Sequence, residues 1–315
     1  MSQGFGANSS TTESNRLERL GAGSFATIFV LHGQAVVYKV VRYPERASEL
    51  RTEFETLHSL NLCYHGSVFT LPRAFAYYDP VAKEVTAFPP TPPVRRVREP
   101  RTVMKPSSFL RLGLTAPTYV LDRAHILPRD ISDIVRELYY PEWAKNTVDQ
   151  PMLCRLYFGK ACRISSFVNP INFPIDATRY MTLFSEEPEM LLPIAEIAQG
   201  MGEMLGSIHW VAGFDGRDIE FVMGGDGYGG VRYYVIDFNQ MHHSTSDESC
   251  IDALSGAFFA NDPYYPLPRP SDQLYEAFKS AYVDVCPVEL RHLARAFIQT
   301  IESAQASRDQ TAVHE

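Results

Sequence analysis

Four carboxylates lie at a spacing that acid–base or cation-binding chemistry uses. Asp215, Asp218 and Glu220 fall within the string FDGRDIEFVM, and Asp237 closes the apolar run YYVID. Gathered round one cleft, they would repel one another and some would stay protonated unless a cation sat among them. That cation is either magnesium or a guanidinium, which a carboxylate pair binds through parallel charge-assisted hydrogen bonds. A second group lies near the start of the chain, where Gly21 and Gly23 bracket a tight turn with Ser24 on it. Lys39 stands inside the apolar string VVYKVV, and a lysine there needs an anionic partner. Glu53, in SELRTEFETLHSL, is the natural one. A third group is positive: Arg95, Arg96, Arg98, Arg101, Lys105 and Arg111 face the single acid Glu99 between residues 88 and 111. Such a stretch is either a nucleic-acid contact or a solvated surface.

Several other residues offer chemistry and are better read as structure. Ser24 is a candidate acyl acceptor, but loop serines mostly form turns. His242, His243 and Cys250 carry metal-ligating atoms, yet they sit in a Ser/Asp-rich stretch without a CxxC pair and read as surface. His209, beside Trp210, reads as a packing histidine that borders the Asp215 turn. GGDGYGG at 224 to 230 imitates a phosphate loop, but its place between apolar strands reads as a hairpin.

The elements that must position these groups follow from pattern. LGAGSFATIFVLHGQAVVYKVV gives three strands joined by turns at Gly21 to Gly23 and at His32-Gly33. Phe54, Leu57 and Leu60 share one face of an amphipathic helix that also carries Glu53. The prolines at 89, 90, 92, 93, 100 and 106 predict a long loop across 88–111. Thr118 to Leu121 reads as a strand, and beyond Asp130 the pattern turns helical. The clearest case is Leu191, Ile194, Ala198, Met201, Leu205 and Ile208, one apolar stripe of a helix. Residues 1–15 read as a disordered arm and 304–315 as a disordered tail, since neither can bury apolar surface.

Composition narrows the classes. The chain has 315 residues, 45% hydrophobic and 21% charged, enough for a sizeable core, which excludes coiled coil, collagen and wholesale disorder. No apolar run reaches spanning length and no secretory signal pattern opens the chain, so a cytoplasmic protein is expected. Five widely spaced cysteines predict reduced thiols rather than a disulfide framework or a metal site. A net charge of -8 argues against indiscriminate binding, and neither DNA nor a membrane is an expected partner.

The order Gly21/Gly23, Lys39, Glu53, Asp215, Asp237 resembles the protein kinases: glycine loop, strand lysine, helix glutamate, catalytic-loop aspartate and metal-binding aspartate. The resemblance implies a two-lobed α+β fold, with a small β-rich N-lobe over 16–122 and a larger, mainly helical C-lobe over 123–303. Asp122-Arg123 would then stand at the hinge. The departures are specific. Glu220 stands where kinases have Asn, Asn239 replaces the DFG glycine, the HRD histidine and arginine are missing, and no APE segment follows.

IHWVAGFDGRDIEFVMG, VIDFNQM and AFFANDPYYPLPRP together resemble a fungal family of kinase-like proteins, often labelled hypothetical or zinc-finger proteins. That family includes arginine-containing cyclodipeptide synthases of secondary metabolism. The resemblance implies condensation of arginyl-tRNA with a second aminoacyl-tRNA to a cyclo(Arg-Xaa) diketopiperazine, with no cofactor. Under it Asp215 is the expected base, with Glu220, Asp237 and Lys39 as the other catalytic residues. Gly21, Gly23, Ser24, Glu53, Asp218, Arg95, Arg96 and Arg98 are the expected substrate-binding residues, and no metal ligand is expected. The alternatives are a phosphotransferase using ATP and magnesium, and a pseudokinase that only binds partners.

Overall fold

The computed structural model describes residues 16–64, 66–88, 104–163, 167–261 and 263–313. In chain order its elements are β1 (Leu17–Ala22), β2 (Ala26–Leu31), β3 (Val36–Val41), α1 (Ala47–Cys63), β4 (Phe69–Thr70), β5 (Ala74–Asp79), β6 (Glu84–Ala87), α2 (Pro106–Arg111) and β7 (Thr118–Asp122). There follow α3 (Arg129–Tyr139), α4 (Glu142–Lys145), β8 (Leu153–Tyr157), β9 (Asn172–Asp176), α5 (Ala177–Glu186), α6 (Ile194–Ser207), β10 (Glu220–Gly225), β11 (Val231–Ile236), α7 (Ile251–Ala260), α8 (Gln273–Asp284) and α9 (Arg291–Val313). The fold is of mixed α+β class. It divides into two compact units, residues 1–55 with 73–123, and residues 56–72 with 124–315. The expected boundary after Asp122 falls after Arg123, and the segment 56–72 is grouped with the later residues.

The first unit is built on an antiparallel six-stranded sheet in the order β1-β2-β3-β7-β5-β6. Alternation along β3 decides which residues meet which helix. Val36, Tyr38 and Val40 face a cluster made with Leu31, Tyr78, Phe109, Leu114 and Val120, in which Phe109 of α2 stacks on Tyr78 at 4.6 Å. Lys39 points the other way, toward α1, where Leu50 and Phe54 are fully buried and Phe54 meets Tyr77 and Tyr119. Burying a side chain of this size contributes about 1.5–3 kcal/mol, so α1 is fastened by its apolar face.

The second unit holds a mixed five-stranded sheet, β4-β11-β10-β8-β9, with the β8/β9 and β4/β11 pairs parallel. Helices α3 to α9 hold far more of this unit's residues than its five short strands, in keeping with the expected mainly helical lobe; the sheet itself was not expected, because its strands are short and separated. Pro174 is accommodated because β9 is an edge strand. The string GGDGYGG is the turn of the β10–β11 hairpin, as its flanks predict. The apolar stripe from Ile194 to Leu205 becomes α6, which continues into a π-helical turn at Ile208–Ala212.

Two further expectations are corrected. The tail from residue 304 is not frayed but continues α9 to Val313. Polar side chains hold it in place of apolar burial: Arg269 grips Asp309 through two bonds of 2.7 Å, Gln305 donates to the same carboxylate, and the Arg308 guanidinium lies 3.8 Å over the Phe259 ring. The proline-rich stretch is not loop throughout, because α2 starts at Pro106, where the first helical position needs no N–H. Residues 89–103, with Arg95, Arg96, Arg98 and Arg101, and the arm 1–15 lie outside the described residues. Among the described residues no helix is long and apolar enough to cross a membrane.

Candidate functional site

In the first unit the strand lysine and the helix glutamate meet. Lys39 Nζ donates to Glu53 Oε1 at 2.6 Å, with both side chains buried. Cross-strand register sets Lys39 between Ile28 of β2 and Tyr119 of β7, so the ammonium stands on an apolar face with Glu53 beside it. The buried Phe25 is also near, its ring centroid 5.1 Å from Nζ, while the Arg46 guanidinium lies 4.9 Å from the same ring. Phe25 ends the glycine turn. There Gly23 N–H donates to Ala26 O at 2.9 Å, and Arg42 donates to Gly23 O at 2.9 Å, fixing the turn to the strand that carries Lys39. Gly21 pairs with Ile28 just after a register shift in β1, and Ser24 is exposed at the tip.

In the second unit the carboxylates cluster around the base of the β10–β11 hairpin. Glu220 opens β10 opposite Ile236, and Asp237 follows Ile236, so the two lie at the same end of the paired strands. Asp218 and Asp237 both hold left-handed backbones, with φ of 63° and 67°. Such conformations cost a non-glycine residue about 1–3 kcal/mol and gather at functional sites. Asp218 is pinned from two sides. Its N–H donates to Asn261 Oδ1 at 2.5 Å, and Gln240 Nε2 donates to its Oδ2 at 2.6 Å; Asn261 Nδ2 in turn donates to Gly216 O at 2.9 Å.

Glu220 is engaged by the chain itself. Arg155 of β8 stands opposite Val222, which puts Glu220 on the diagonal, and the guanidinium reaches its Oε1 at 2.5 Å. Glu220, Tyr157 and Tyr264 together hold Arg155 above its ordinary range despite its burial. Burial first, then the Glu220 charge, pushes the Tyr264 phenol upward.

Asp215 lies in a different local frame. Residues 213 to 215 run beside 242 to 244, with Asp215 N–H donating to His242 O at 3.0 Å and Ser244 N–H to Gly213 O at 2.9 Å. The Asp215 carboxylate accepts from Arg217 N–H at 3.1 Å, His242 N–H at 3.0 Å and the His242 Nδ1 at 3.0 Å. Beneath the turn, His209 is buried and shares a hydrogen bond of 2.8 Å with Tyr282, to which Trp210 also donates. Burial lowers the His209 pKa to about 4, so it serves as a neutral packing residue.

Sequence reasoning paired Lys39 with Glu53 and gathered Asp215, Asp218, Glu220 and Asp237 round one cleft; Glu220 and Asp237 lie at the same end of the paired strands, whereas Asp215 is engaged with His242. It missed Arg155, Gln240 and Asn261, and it missed His242 as a partner of Asp215. Nothing local signals these contacts, since sheet register and a long return loop create them.

A family model for DUF3669, described as a zinc finger protein, matches residues 233–292. No curated protein matches the chain. Within the matched segment Cys250 and Cys286 are both buried, with burial pushing their thiols upward, to about 11 for Cys286. His243 stacks on Phe214 at 4.4 Å and His242 is bonded to Asp215. Among the described residues no three His, Cys, Asp or Glu side chains are grouped to hold a metal ion.

Proposed function

We propose that this chain is a kinase-like aminoacyltransferase that condenses arginyl-tRNA with a second aminoacyl-tRNA into a cyclo(Arg-Xaa) diketopiperazine. The observation that carries the reading is the Arg155–Glu220 ion pair. Where the kinase pattern supplies a side chain for magnesium, this chain has a glutamate already neutralised by its own guanidinium, an arrangement poorly matched to holding a metal beside a triphosphate. The buried Lys39–Glu53 pair on an antiparallel sheet supports kinase-like ancestry for the first unit. The zinc-finger description matched at 233–292 agrees with the label of the fungal proteins that the sequence resembles.

The chemistry needs no nucleotide. An aminoacyl ester is already activated, so two successive attacks by amino groups require a proton acceptor, a positioned oxyanion and binding of the charged substrate groups. Asp218 and Asp237, held in left-handed backbones beside Glu220, are the carboxylates assigned to the substrate guanidinium and α-ammonium. Lys39 is assigned to negative charge, either the tRNA 3′ phosphate or the developing oxyanion. The basic residues 95–98 are assigned to the tRNA backbone, and a cytoplasmic setting follows from the substrate.

The test supplies purified protein with precharged arginyl-tRNA and a mixture of other aminoacyl-tRNAs, without ATP, and reads products by mass spectrometry. An arginine-containing diketopiperazine is expected, with a yield that added ATP leaves unchanged. The Lys39–Glu53 pair also suits the second reading, a phosphotransferase. No diketopiperazine, together with magnesium-dependent phosphoryl transfer from ATP, would put that reading first.

A further inference from the structure

We propose that His242 is the residue that moves the amine proton, and that Asp215 holds it in place. The inference rests on the aminoacyl-transfer reading and replaces Asp215 as the base. A carboxylate acts as a base through a free lone pair, and Asp215 has three of about four already taken: Oδ1 by the N–H groups of Arg217 and His242, Oδ2 by the His242 ring. Its side chain is only 12% exposed, whereas that of His242 is 70% exposed. The pair is therefore polarised in space, with the anion turned inward and the imidazole outward.

The backbone makes this placement deliberate. Asp215 N–H donates to His242 O while His242 N–H donates to the Asp215 carboxylate, so each residue grips the other through main chain as well as side chain. Gly213, at φ 75°, lets the chain enter this pairing, and Ser244 N–H closes it on Gly213 O. A carboxylate on Nδ1 places the neutral ring's proton there and leaves the lone pair on Nε2. Among the described residues no hydrogen bond engages that nitrogen. The adjacent His243 contrasts with it, since its ring is stacked on Phe214. Two consecutive exposed histidines thus have separate tasks, one packed on an aromatic ring and one presented by a buried carboxylate.

The transfer step balances without oxidant or nucleotide. The α-ammonium of one aminoacyl ester first releases a proton to solvent. Its nitrogen then attacks the carbonyl carbon of the second ester, forming the C–N bond while Nε2 takes a second proton. Collapse of the tetrahedral intermediate breaks the bond to the ribose oxygen, which receives that proton from the imidazolium. A repeat within the resulting dipeptidyl ester, whose free amine attacks its own ester carbonyl, closes the ring and frees the tRNA that had carried the first attacking amine.

His242→Ala is expected to lower the rate of ATP-independent diketopiperazine formation about a hundredfold or more, with KM for the aminoacyl-tRNAs unchanged. Added imidazole should restore part of that rate, because the position is open to solvent. Asp215→Asn is expected to move the His242 ring toward the Nε2-protonated tautomer, read from its 15N chemical shifts, and Asp215→Glu to restore both tautomer and rate in part. Full activity of folded His242→Ala, or a loss that imidazole leaves untouched, would overturn the proposal. So would an unchanged tautomer in Asp215→Asn. Wild-type protein that forms no diketopiperazine would instead defeat the functional reading on which the proposal stands.

Discussion

At the scale of single residues, burial decides what a charge must do. Lys39 and Glu53 have left water almost completely, and their charges meet at 2.6 Å. Removing one partner takes from a buried charge the counter-ion nearest to it in this pair. We therefore expect Lys39→Met or Glu53→Gln to lower unfolding free energy by about 3–5 kcal/mol in urea denaturation, and the double replacement Lys39→Met with Glu53→Leu to recover most of the loss. Two single variants as stable as wild type would mean that water reaches the pair. This contact is legible in sequence because an apolar strand cannot keep a lysine without an anion, and the neighbouring helix offers one. Arg155 with Glu220 is not legible, because the diagonal across β8 and β10 exists only once the sheet register is set by distant hydrophobic residues. His242 with Asp215 is hidden for the same reason, the partners lying 27 positions apart in the chain.

At the scale of elements, α6 shows how side-chain absence positions the turn that carries Asp215. Gly202 and Gly206, four residues apart on one helix face, let α8 approach until a Cβ on Gly202 would lie 2.1 Å from Phe278 O and one on Gly206 2.7 Å from Tyr282 O. The same contact brings Tyr282 to His209 and Trp210 at the end of α6. Gly202→Ala should force the helices apart and lower stability by about 1–3 kcal/mol or more. Gly256→Ala, in α7 with open space around it, should instead be neutral or stabilising by up to about 1 kcal/mol, since a helix interior favours alanine. Calorimetry of both variants checks the contrast, and equal melting shifts would refute the close packing. The apolar stripe predicted α6 itself, but not the glycine face, because small residues leave no hydrophobic signal. The end of α9 escaped for the opposite reason: its partners are charged and aromatic side chains on residues 259 and 269, so a criterion of apolar burial read it as tail.

At the scale of the whole molecule, electrostatics sets how a polyanion can be recognised. The chain carries a net charge of -8, so its overall field repels tRNA, and attraction must come from a concentrated positive segment. Arg95, Arg96, Arg98 and Arg101 form the densest such segment in the sequence, next to a single acid. Each arginine that neutralises a phosphate releases condensed counterions, contributing about 0.7–0.9 to the slope of log affinity against log salt. If all four reach the backbone, replacing them with alanine should flatten that slope by about 3–4. Arginyl-tRNA titrations between about 50 and 200 mM salt measure it. The variant should bind weakly at low salt and lose little more as salt rises, whereas wild type should fall steeply from a higher start. An unchanged salt dependence would remove this segment from the tRNA interface altogether.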